Sequence, residues 1–230
     1  MPAPVLFCWS GGKDSALALH ALRQDPHFQV TGLLTTVTEG FDRISMHGVR
    51  RELLHRQAES IGLPVEEVAI PPKCDNATYE ARMAEAMRRS YERGIRHIAF
   101  GDIFLEDLRA YREEKLVRAG MTALFPLWNV DTRELAQRFL RDGFRAVAVC
   151  IDLRKLHSSF AGRELDAAFF RDLPPGADPC GENGEFHTFV FAGPLFRAPI
   201  SVRTGSVVER DSFIFCDLLP AESVPCLPTA

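Results

Sequence analysis

Short apolar runs alternate with helical patterns along the first half of the chain. Residues 5–9 form an apolar run, followed by a glycine-containing turn and by a helix that opens near Ser15. Residues 30–36 are continuously apolar or β-branched, as expected for a strand that is buried on both faces. Such alternation is typical of βαβ units in a mostly parallel, doubly wound sheet. Further helices are predicted at 49–61, 77–93 and 107–119, and further strands at 65–70, 97–100 and 121–125.

The pattern changes after residue 128. A polar, helix-prone stretch extends to residue 171, and a turn-rich loop follows it up to residue 185. We predict an α/β domain over residues 1–130 and a smaller C-terminal α+β domain over residues 131–230. The elements predicted in the second domain are a helix at 132–141, strands at 146–151, 188–192, 200–208 and 213–218, and a turn at 209–211.

Composition and charge narrow the class of protein. Of the residues, 46% are apolar and 25% are charged, and 27 Lys plus Arg stand against 31 Asp plus Glu, a net charge of −4. This balance excludes a disordered chain, and no apolar run reaches the roughly 18 residues of a membrane-spanning helix. No basic segment precedes the first apolar run, so we expect no secretory signal and a cytoplasmic protein. The acidic excess disfavours nucleic-acid binding, which needs a surplus of Lys and Arg.

The six cysteines are widely scattered, and none forms the close pair that zinc sites and dithiol redox motifs use. Cys8 and Cys150 lie in predicted strands, where a reduced thiol behaves as a small hydrophobic side chain. Cys180 differs because glycine and carboxylate residues surround it.

The turn after the first predicted strand carries the most informative motif. It consists of Ser10, Gly11, Gly12, Lys13, Asp14 and Ser15. The two glycines let backbone N–H groups approach an anion, and the start of the following helix adds free donors and partial positive charge. The spacing is not that of a Walker A loop. A glycine turn can be purely structural, but the complete motif before a helix favours a phosphate-binding site, which we call the phosphate loop.

The phosphate loop resembles the signature of the PP-loop ATP pyrophosphatases, which cleave ATP between the α and β phosphates. Four further segments are similar to the diphthine–ammonia ligase family and follow in the expected order. They are Ser45-Met46-His47, Gly101-Asp102-Ile103, Pro126-Leu127-Trp128 and Gly181-Glu182-Asn183-Gly184-Glu185-Phe186. The resemblance implies a Rossmann-like parallel sheet in the first domain. It also implies an enzyme that activates a carboxylate with ATP, amidates it with ammonium and releases AMP and pyrophosphate.

Two cofactors are implied by this resemblance, ATP and Mg²⁺. The phosphate loop, Gly101 and Asp102 are expected to bind ATP, with Lys13 and Asp14 acting in catalysis. Asp14 and Asp102 are the expected Mg²⁺ ligands, since this ion prefers a few carboxylates together with phosphates and waters. Asp102 follows the fourth predicted strand and should face the crevice at the carboxyl ends of the strands. For Asp14, a favourable charge at a helix N-terminus is an equally good interpretation.

A second acidic segment, residues 178–186, is named here the carboxylate loop. Its carboxylates could attract ammonium and accept a proton from it, and we expect Glu182 and Glu185 to act in catalysis. Asn183 in the loop and His187 just after it are expected to contact the substrate. The alternative is a solvated turn built on Asp-Pro and Asn-Gly signals, which explains the glycines but not the density of carboxylates.

Three further residues are assigned to substrate binding. His47 lies where an adenosine or substrate contact is plausible, although a surface-loop histidine fits equally well. Arg109 and Glu113 match an arginine and a glutamate that the family places after Gly-Asp-Ile, but their spacing is also that of a surface ion pair on a helix.

The chain also departs from the archaeal and eukaryotic members of the family. Those members usually carry Tyr-Gln where this chain has Asp107 and Leu108, and Glu-Thr where it has His187 and Thr188. The chain therefore resembles the bacterial-type branch. These departures leave the ATP site intact and fall where recognition of the acceptor is expected.

The leading hypothesis is thus an AMP-forming amide ligase of the diphthine–ammonia ligase type. Predicted partners are ATP, ammonium and a carboxylate acceptor, with no nucleic acid and no membrane, and a homodimer stays open. A tRNA-modifying PP-loop enzyme and a non-catalytic nucleotide-binding regulator are the alternatives. The first would need a basic RNA surface that a charge of −4 does not suggest.

Overall fold

A computed structural model describes residues 1–45 and 48–222. The strands are β1 (Ala3–Cys8), β2 (Phe28–Thr38), β3 (Arg43–Ile44), β4 (Val65–Ile70), β5 (His97–Ala99), β6 (Thr122–Leu124), β7 (Arg145–Asp152), β8 (Phe186–Ala192), β9 (Val202–Arg210) and β10 (Phe213–Pro220). The helices are α1 (Lys13–Arg23), α2 (Arg51–Ile61), α3 (Asn76–Glu92), α4 (Glu106–Arg118), α5 (Thr132–Arg141) and α6 (Ala167–Asp172), with a short 3-10 helix at Ser158–Phe160.

The first sheet has the order β3-β2-β1-β5-β6, and β4 also pairs with β2. All of these pairings are parallel except the short antiparallel pair of β2 with β3. The predicted α/β fold with a mostly parallel sheet is therefore confirmed. The pattern did not reveal β3, because two residues are too few to show an alternation of side chains.

Apolar side chains cover both faces of this sheet. On one face, Leu6, Leu34 and Ile98 pack in a cluster with Ala86 of α3 and Leu116 of α4. The opposite face belongs to a larger cluster that also takes in α1, α2 and the strands of the second sheet. Burial on both faces explains why the strands read as continuous apolar runs instead of alternating ones.

Helix ends follow local rules that the sequence carries. Asp75 accepts a hydrogen bond from Thr78 N and caps α3, and Asp131 accepts from the amides of Arg133 and Glu134 and caps α5. The α2 helix ends at Gly62, which adopts the left-handed conformation that glycine tolerates.

The second sheet is antiparallel, with the order β8-β7-β10-β9. Its edge strand β8 meets the first sheet at the phosphate loop, where Val190 N donates to Gly11 O at 2.9 Å. The edge that β8 leaves free of strand partners is thus covered by the first half of the chain.

Two details of the second half differ from the prediction. The turn expected at 209–211 lies one residue later, at Asp211 and Ser212, which both have positive φ, so that β9 continues to Arg210. The helix-prone stretch before residue 171 forms only the 3-10 helix and the six-residue α6. The proposed domain division near residue 130 falls between β6 and α5 and stays a prediction.

Within residues 1–45 and 48–222, no helix combines the length and the apolar character needed to cross a lipid bilayer.

Candidate active site

A cavity of about 420 Å³ opens at the carboxyl ends of β1, β2 and β5. Parallel sheets bind ligands at this end of their strands. The phosphate loop, the segment after β5, helix α4 and the carboxylate loop all contribute to its wall. Its lining includes Ser10, Lys13, Asp14, Ser15, Gly101, Asp102, Leu108, Arg112, Glu182 and His187.

Hydrogen bonds within the phosphate loop hold its turn at the start of α1. Ser10 Oγ lies 2.8 Å from Ser15 Oγ and also accepts from Gly12 N at 3.3 Å. Gly11 has φ of +81°, and a Cβ atom there would lie 2.9 Å from Gln57 Oε1, so that only glycine fits. Two serine hydroxyls and the first turn of a helix thus meet in one small volume, which is the chemistry of an anion site.

Gly101, two residues beyond the cavity end of β5, approaches α1 from the other side. A Cβ atom at this position would lie 3.0 Å from Ser15 N, which is backbone and cannot move aside. The close approach brings Asp102 to the same cavity as the phosphate loop. A side chain at position 101 would clash with α1, which explains the glycine, and ATP binding by Gly101 stays a prediction.

Gln57 is a buried residue of α2 that the sequence analysis missed. Its Nε2 donates to Gly11 O at 3.0 Å and to Val190 O at 2.7 Å, and its Oε1 accepts from Trp9 Nε1 at 2.9 Å. One side chain thus ties together β1, the phosphate loop and β8. The helical spacing does place Gln57 on the apolar face of α2, four residues from both Leu53 and Ile61, but it does not show which groups the amide contacts.

Lys13 is almost completely buried, with 2% of its side chain exposed. Its Nζ donates to both oxygens of Asp14 at 2.8 Å and to the carbonyl oxygen of Cys180 in the carboxylate loop. Burial by itself would lower the pKa of Lys13, but the Asp14 carboxylate, with smaller contributions from Cys180 and Glu182, raises it above its usual value. A buried positive charge therefore stands beside the phosphate loop.

The carboxylate loop is organised by two of its own acidic residues. Asp178 Oδ1 accepts from Cys180 N at 2.8 Å and from Glu182 N at 3.2 Å, and Asp178 Oδ2 accepts from Thr132 Oγ1 at 2.7 Å. Glu185 Oε1 accepts from Asp178 N at 3.0 Å. Glu185 is buried and is not part of the cavity lining, so its predicted catalytic role has no support from its position.

Asn183 also lies away from the cavity wall. Its side chain is exposed, its Nδ2 is 3.4 Å from Glu185 Oε1, and its carbonyl oxygen accepts from Lys155 Nζ. The structure therefore does not bring Asn183 to the cavity with Glu182.

Glu182 is the glutamate of this loop that reaches the cavity. Its Oε1 accepts from Ile103 N at 2.9 Å, next to Asp102 in the chain. Burial raises the pKa of Glu182 to about 7; the Ile103 N–H opposes the shift and the Asp14 carboxylate adds to it. A carboxylate that exchanges its proton near neutral pH suits general acid–base chemistry.

His187, at the start of β8, lines the same cavity. Burial, with the nearby Lys13 ammonium, lowers the pKa of His187 to about 4. The imidazole is therefore neutral at pH 7 and adds no positive charge to the site.

Asp102 is held by Arg112 of α4, a residue that the sequence analysis did not single out. Asp102 Oδ2 lies 2.6 Å from Arg112 Nε, and Arg112 Nη2 donates to Asp102 Oδ1 at 3.2 Å. The short contact is not aligned as a hydrogen bond, so within the described chain Oδ2 and Nε lack a hydrogen-bond partner. Burial raises the pKa of Asp102, and Arg112 opposes that shift.

Arg109 and Glu113 do not line the cavity. Arg109 Nε lies 2.7 Å from Glu113 Oε1, and the guanidinium carbon stands 4.5 Å from the centre of the Trp128 ring. The pair is the helical i,i+4 ion pair that the sequence analysis held as the alternative. Leu108 and Arg112, one helical turn apart, share the face of α4 that points to the cavity, and Arg109 and Glu113 do not reach the cavity wall.

His47 lies outside the described residues. Ser45, two residues earlier in the chain, lines the cavity. In the part of the chain that the structure covers, no group of three or more His, Cys, Asp or Glu side chains is placed to hold a metal ion.

Comparison with known proteins agrees with the resemblance. The model of the diphthamide synthase N-terminal domain matches residues 3–123, and that of the diphthamide synthase C-terminal domain matches residues 131–218. A diphthine–ammonia ligase of Schizosaccharomyces pombe is 25% identical to 93% of this chain, which spans 38% of that longer protein. Diphthine–ammonia ligases of Bos taurus and Danio rerio are each 24% identical to 90% of the chain, which spans 85% and 84% of their lengths.

Among solved structures, a U34-tRNA thiolase from Methanococcus maripaludis aligns with 60% of this chain and 57% of its own, with 14% identity and a TM-score of 0.38. That likeness is too low to carry an argument about function. The two domain models together cover nearly the whole described chain, so this protein belongs to the diphthamide synthase family.

Proposed function

We propose that this protein is an ATP-dependent amide ligase, which converts a carboxylate to its adenylate and then transfers the acyl group to ammonium. The names of its relatives support this reaction class. The observation that carries the proposal is the meeting of two loops. The phosphate loop with buried Lys13 and the carboxylate loop with Glu182 line one cavity, although 167 residues separate Lys13 from Cys180.

The chemistry explains why both loops are needed. A carboxylate cannot be amidated directly at neutral pH, because oxide would be the leaving group. Attack of a carboxylate oxygen on the α-phosphorus of ATP forms the acyl adenylate and releases pyrophosphate. Attack of ammonia on the acyl carbon then forms the amide and releases AMP, and the nitrogen loses a proton to a base.

The first step uses the phosphate loop. The backbone amides of Gly11 and Gly12 and the hydroxyls of Ser10 and Ser15 can hold the departing pyrophosphate. Lys13 is buried and charged, so its electrostatic effect on developing phosphate charge is stronger than that of a solvated lysine. In the absence of ATP, Asp14 and the Cys180 carbonyl satisfy its ammonium group.

The second step uses Glu182 as the proton acceptor. Its negative form attracts ammonium, and its pKa of about 7 lets it take the proton without holding it permanently. Glu185 has no part in this scheme, because it supports the carboxylate loop from inside.

Mg²⁺ is part of the proposal, with Asp14 and Asp102 as the residues that would hold it. Asp102 Oδ2 fits this role because, within the described chain, it is buried without an aligned hydrogen-bond donor. When bound, Mg²⁺ would supply positive charge that stabilises the α-phosphate during attack.

The acceptor is specified only by its chemistry, a carboxylate. Leu108 and His187 replace residues that are usual in archaeal and eukaryotic members, and both line the cavity. We propose that the reaction takes place in the cytoplasm, with ammonium itself as the nitrogen donor.

A screen of metabolite and protein extracts for ammonium-dependent release of AMP and pyrophosphate tests this function. We expect release with the wild-type protein and a loss of about 100- to 1,000-fold with Lys13→Ala, since charge stabilisation of this kind has that magnitude. Lys73→Ala, which changes an exposed lysine before α3, is the matched control and should be unaffected. Tight ATP binding without turnover in any extract would instead support a nucleotide-binding regulator and would contradict the proposal.

A further inference from the structure

A second cavity lies beside the first, in a groove between α3 and α4. Its volume is about 710 Å³, which is room for a ligand much larger than ammonium or acetate. We call it the α3–α4 groove. Its wall is largely apolar and aromatic, with Ala81, Ala84, Met87, Leu116, Tyr79 and Tyr111 among its lining residues. Charged side chains also line it, and each of its other cations already has a carboxylate partner: Lys115 with Glu80, Arg88 with Glu92 and Arg118 with Glu114.

The two cavities share part of their walls. Tyr79, Met83, Phe100 and Arg112 line both of them. A molecule that occupies the groove therefore contacts the residues that bound the ATP cavity. The proposed reaction does not use the groove, and it assigns no binding site to the part of the acceptor beyond its carboxylate.

Positive charge is scarce in the first cavity. Among the described residues, its lining contains two permanent cations, Lys13 and Arg112. Lys13 belongs to the phosphate loop, whereas Arg112 stands on the wall common to both cavities. Three carboxylates, those of Asp14, Asp102 and Glu182, line the same space and would repel an entering carboxylate unless a cation compensates it.

The contacts of Arg112 leave some of its N–H donors available to a ligand. Its guanidinium carbon lies 4.2 Å from the centre of the Phe100 ring, which supports the plane of the group. Its ion pair with Asp102 contains one aligned hydrogen bond and one short contact that is not aligned. A guanidinium has five N–H donors in a fixed fork, and a carboxylate is the partner that this fork fits.

We propose that Arg112 binds the carboxylate of the acceptor and that the α3–α4 groove holds the apolar body of the same molecule. This inference rests on the proposed function, because it takes the acceptor to be a carboxylate. The expected substrate class is a carboxylate attached to an apolar or aromatic segment. A small, wholly polar acid would leave the groove empty and would gain nothing from its apolar wall.

The test measures binding instead of turnover and uses hexanoate as the probe. Protein-observed NMR titrations compare hexanoate with its neutral amide, hexanamide, and with the shorter acid, acetate. We expect hexanoate to bind at least 10-fold more tightly than either. Arg112→Gln should remove at least 10-fold of the hexanoate affinity and leave that of hexanamide unchanged.

Arg138→Gln is the matched control for this substitution. Arg138 forms a similar pair, with Nε 3.4 Å from Asp142 Oδ2, and 28% of its side chain is exposed against 24% for Arg112. It lines neither cavity, and hexanoate binding should not change. Arg112→Lys, which keeps the charge but not the fork, should lie between wild type and Arg112→Gln, and it replaces the glutamine variant if that variant does not fold.

Ala84→Phe tests the groove separately. The added ring fills apolar space in the groove, so hexanoate affinity should fall to that of acetate, while acetate binding stays the same. The proposal is overturned if wild type does not bind hexanoate, if Ala84→Phe has no effect, or if Arg112→Gln weakens ATP binding as much as hexanoate binding. The last result would make Arg112 a nucleotide ligand.

These outcomes separate the inference from the proposed function. If hexanoate binds through Arg112 but no extract supports AMP release, the acid site stands and the ligase reaction fails. If ligase turnover is found and Arg112→Gln leaves the KM of the acceptor unchanged, the reaction stands and the assignment of Arg112 fails.

Discussion

The phosphate loop and the carboxylate loop meet in one cavity, but different side chains hold them. The turn of the phosphate loop is held by its own serine hydroxyls, and Gln57 of α2 and the edge of β8 bind it from outside. In the carboxylate loop, one oxygen each of Asp178 and Glu185 accepts from amides of the loop itself, and the other oxygen of Asp178 accepts from Thr132. Carboxylates therefore serve structure at two positions and face the cavity at a third, Glu182.

This difference shows why the role of each acidic residue in a glycine-rich loop has to be judged from its own position in the structure. Backbone amides in a tight turn need acceptors, and a carboxylate of the same loop is the closest one available. A high density of carboxylates is thus expected from folding alone. Position relative to the rest of the molecule, and not density, distinguishes Glu182 from Glu185.

The largest expected effect comes from replacing each of the two glutamates by glutamine in turn. We expect Glu182→Gln to lower the rate of ammonium-dependent amide formation by roughly 100-fold, since it removes the general base. Glu185→Gln keeps an oxygen for Asp178 N and should leave the rate little changed. The measurement is the rate of AMP release at saturating ATP, with ATP affinity determined in parallel.

The two glutamate variants serve as controls for each other. Both replace a carboxyl group of the same loop by an amide, and only one of the two side chains faces the cavity. A loss that is equal in both variants, or larger in Glu185→Gln, would restore the catalytic role predicted for Glu185 and would contradict a purely structural role for it.

Gln57→Leu tests whether the phosphate loop is held from outside. The substitution leaves Val190 O and Trp9 Nε1 without the glutamine, and we expect unfolding free energy in urea to fall by roughly 2–4 kcal/mol. Because the loop loses its support, the KM for ATP should rise by about 10-fold, a modest misplacement of binding groups.

Ser90→Ala is the control for the glutamine variant. Ser90 is also fully buried, and its Oγ donates to Ala86 O within α3, on the other face of the sheet. We expect a smaller loss of stability and no change in the KM for ATP. If both variants raise this KM equally, global destabilisation explains the effect and Gln57 has no specific role.

A further expected effect is a pH dependence of stability that comes from Glu182. Its pKa rises from 4.5 in the unfolded chain to about 7 in the folded one, so folding favours the protonated form. The resulting stability is present below pH 4.5 and is lost as pH rises through 7. Glu182→Gln should therefore gain stability relative to wild type at pH 8 and show little difference at pH 5, as measured by urea unfolding.

Glu92→Gln, which removes an exposed carboxylate of α3, controls for the loss of one negative charge. A difference between Glu182→Gln and wild type that is the same at pH 5 and pH 8 would mean that Glu182 does not titrate in this window.

Much of the fold followed from local signals. Apolar runs marked the parallel strands, and helical periodicity marked the helices predicted at 49–61, 77–93 and 132–141. The phosphate loop could also be predicted from the sequence, because its groups are contiguous in the chain and its geometry depends on its own glycines and on the helix that follows. Asp102 was expected at the crevice because a strand end determines its place, and it does line the cavity.

Local signals could not predict the contacts of Gln57 and Arg112, nor the different positions of Glu182 and Glu185 relative to the cavity. Gln57 contacts Val190, which is 133 residues away, and this contact depends on how β8 packs against α1 and α2. Arg112 and Arg109 are three residues apart on one helix, and only the rotation of α4 on the sheet decides which of them reaches the cavity.

The sequence by itself therefore determined the alternation of strands and helices and the anion-binding turn, because each rests on interactions between neighbours in the chain, and its contiguous motifs carried the family resemblance. The tertiary structure alone decided which charged groups share a cavity. Charge interactions depend on distance and burial, and both are set by packing between segments that lie far apart in the chain.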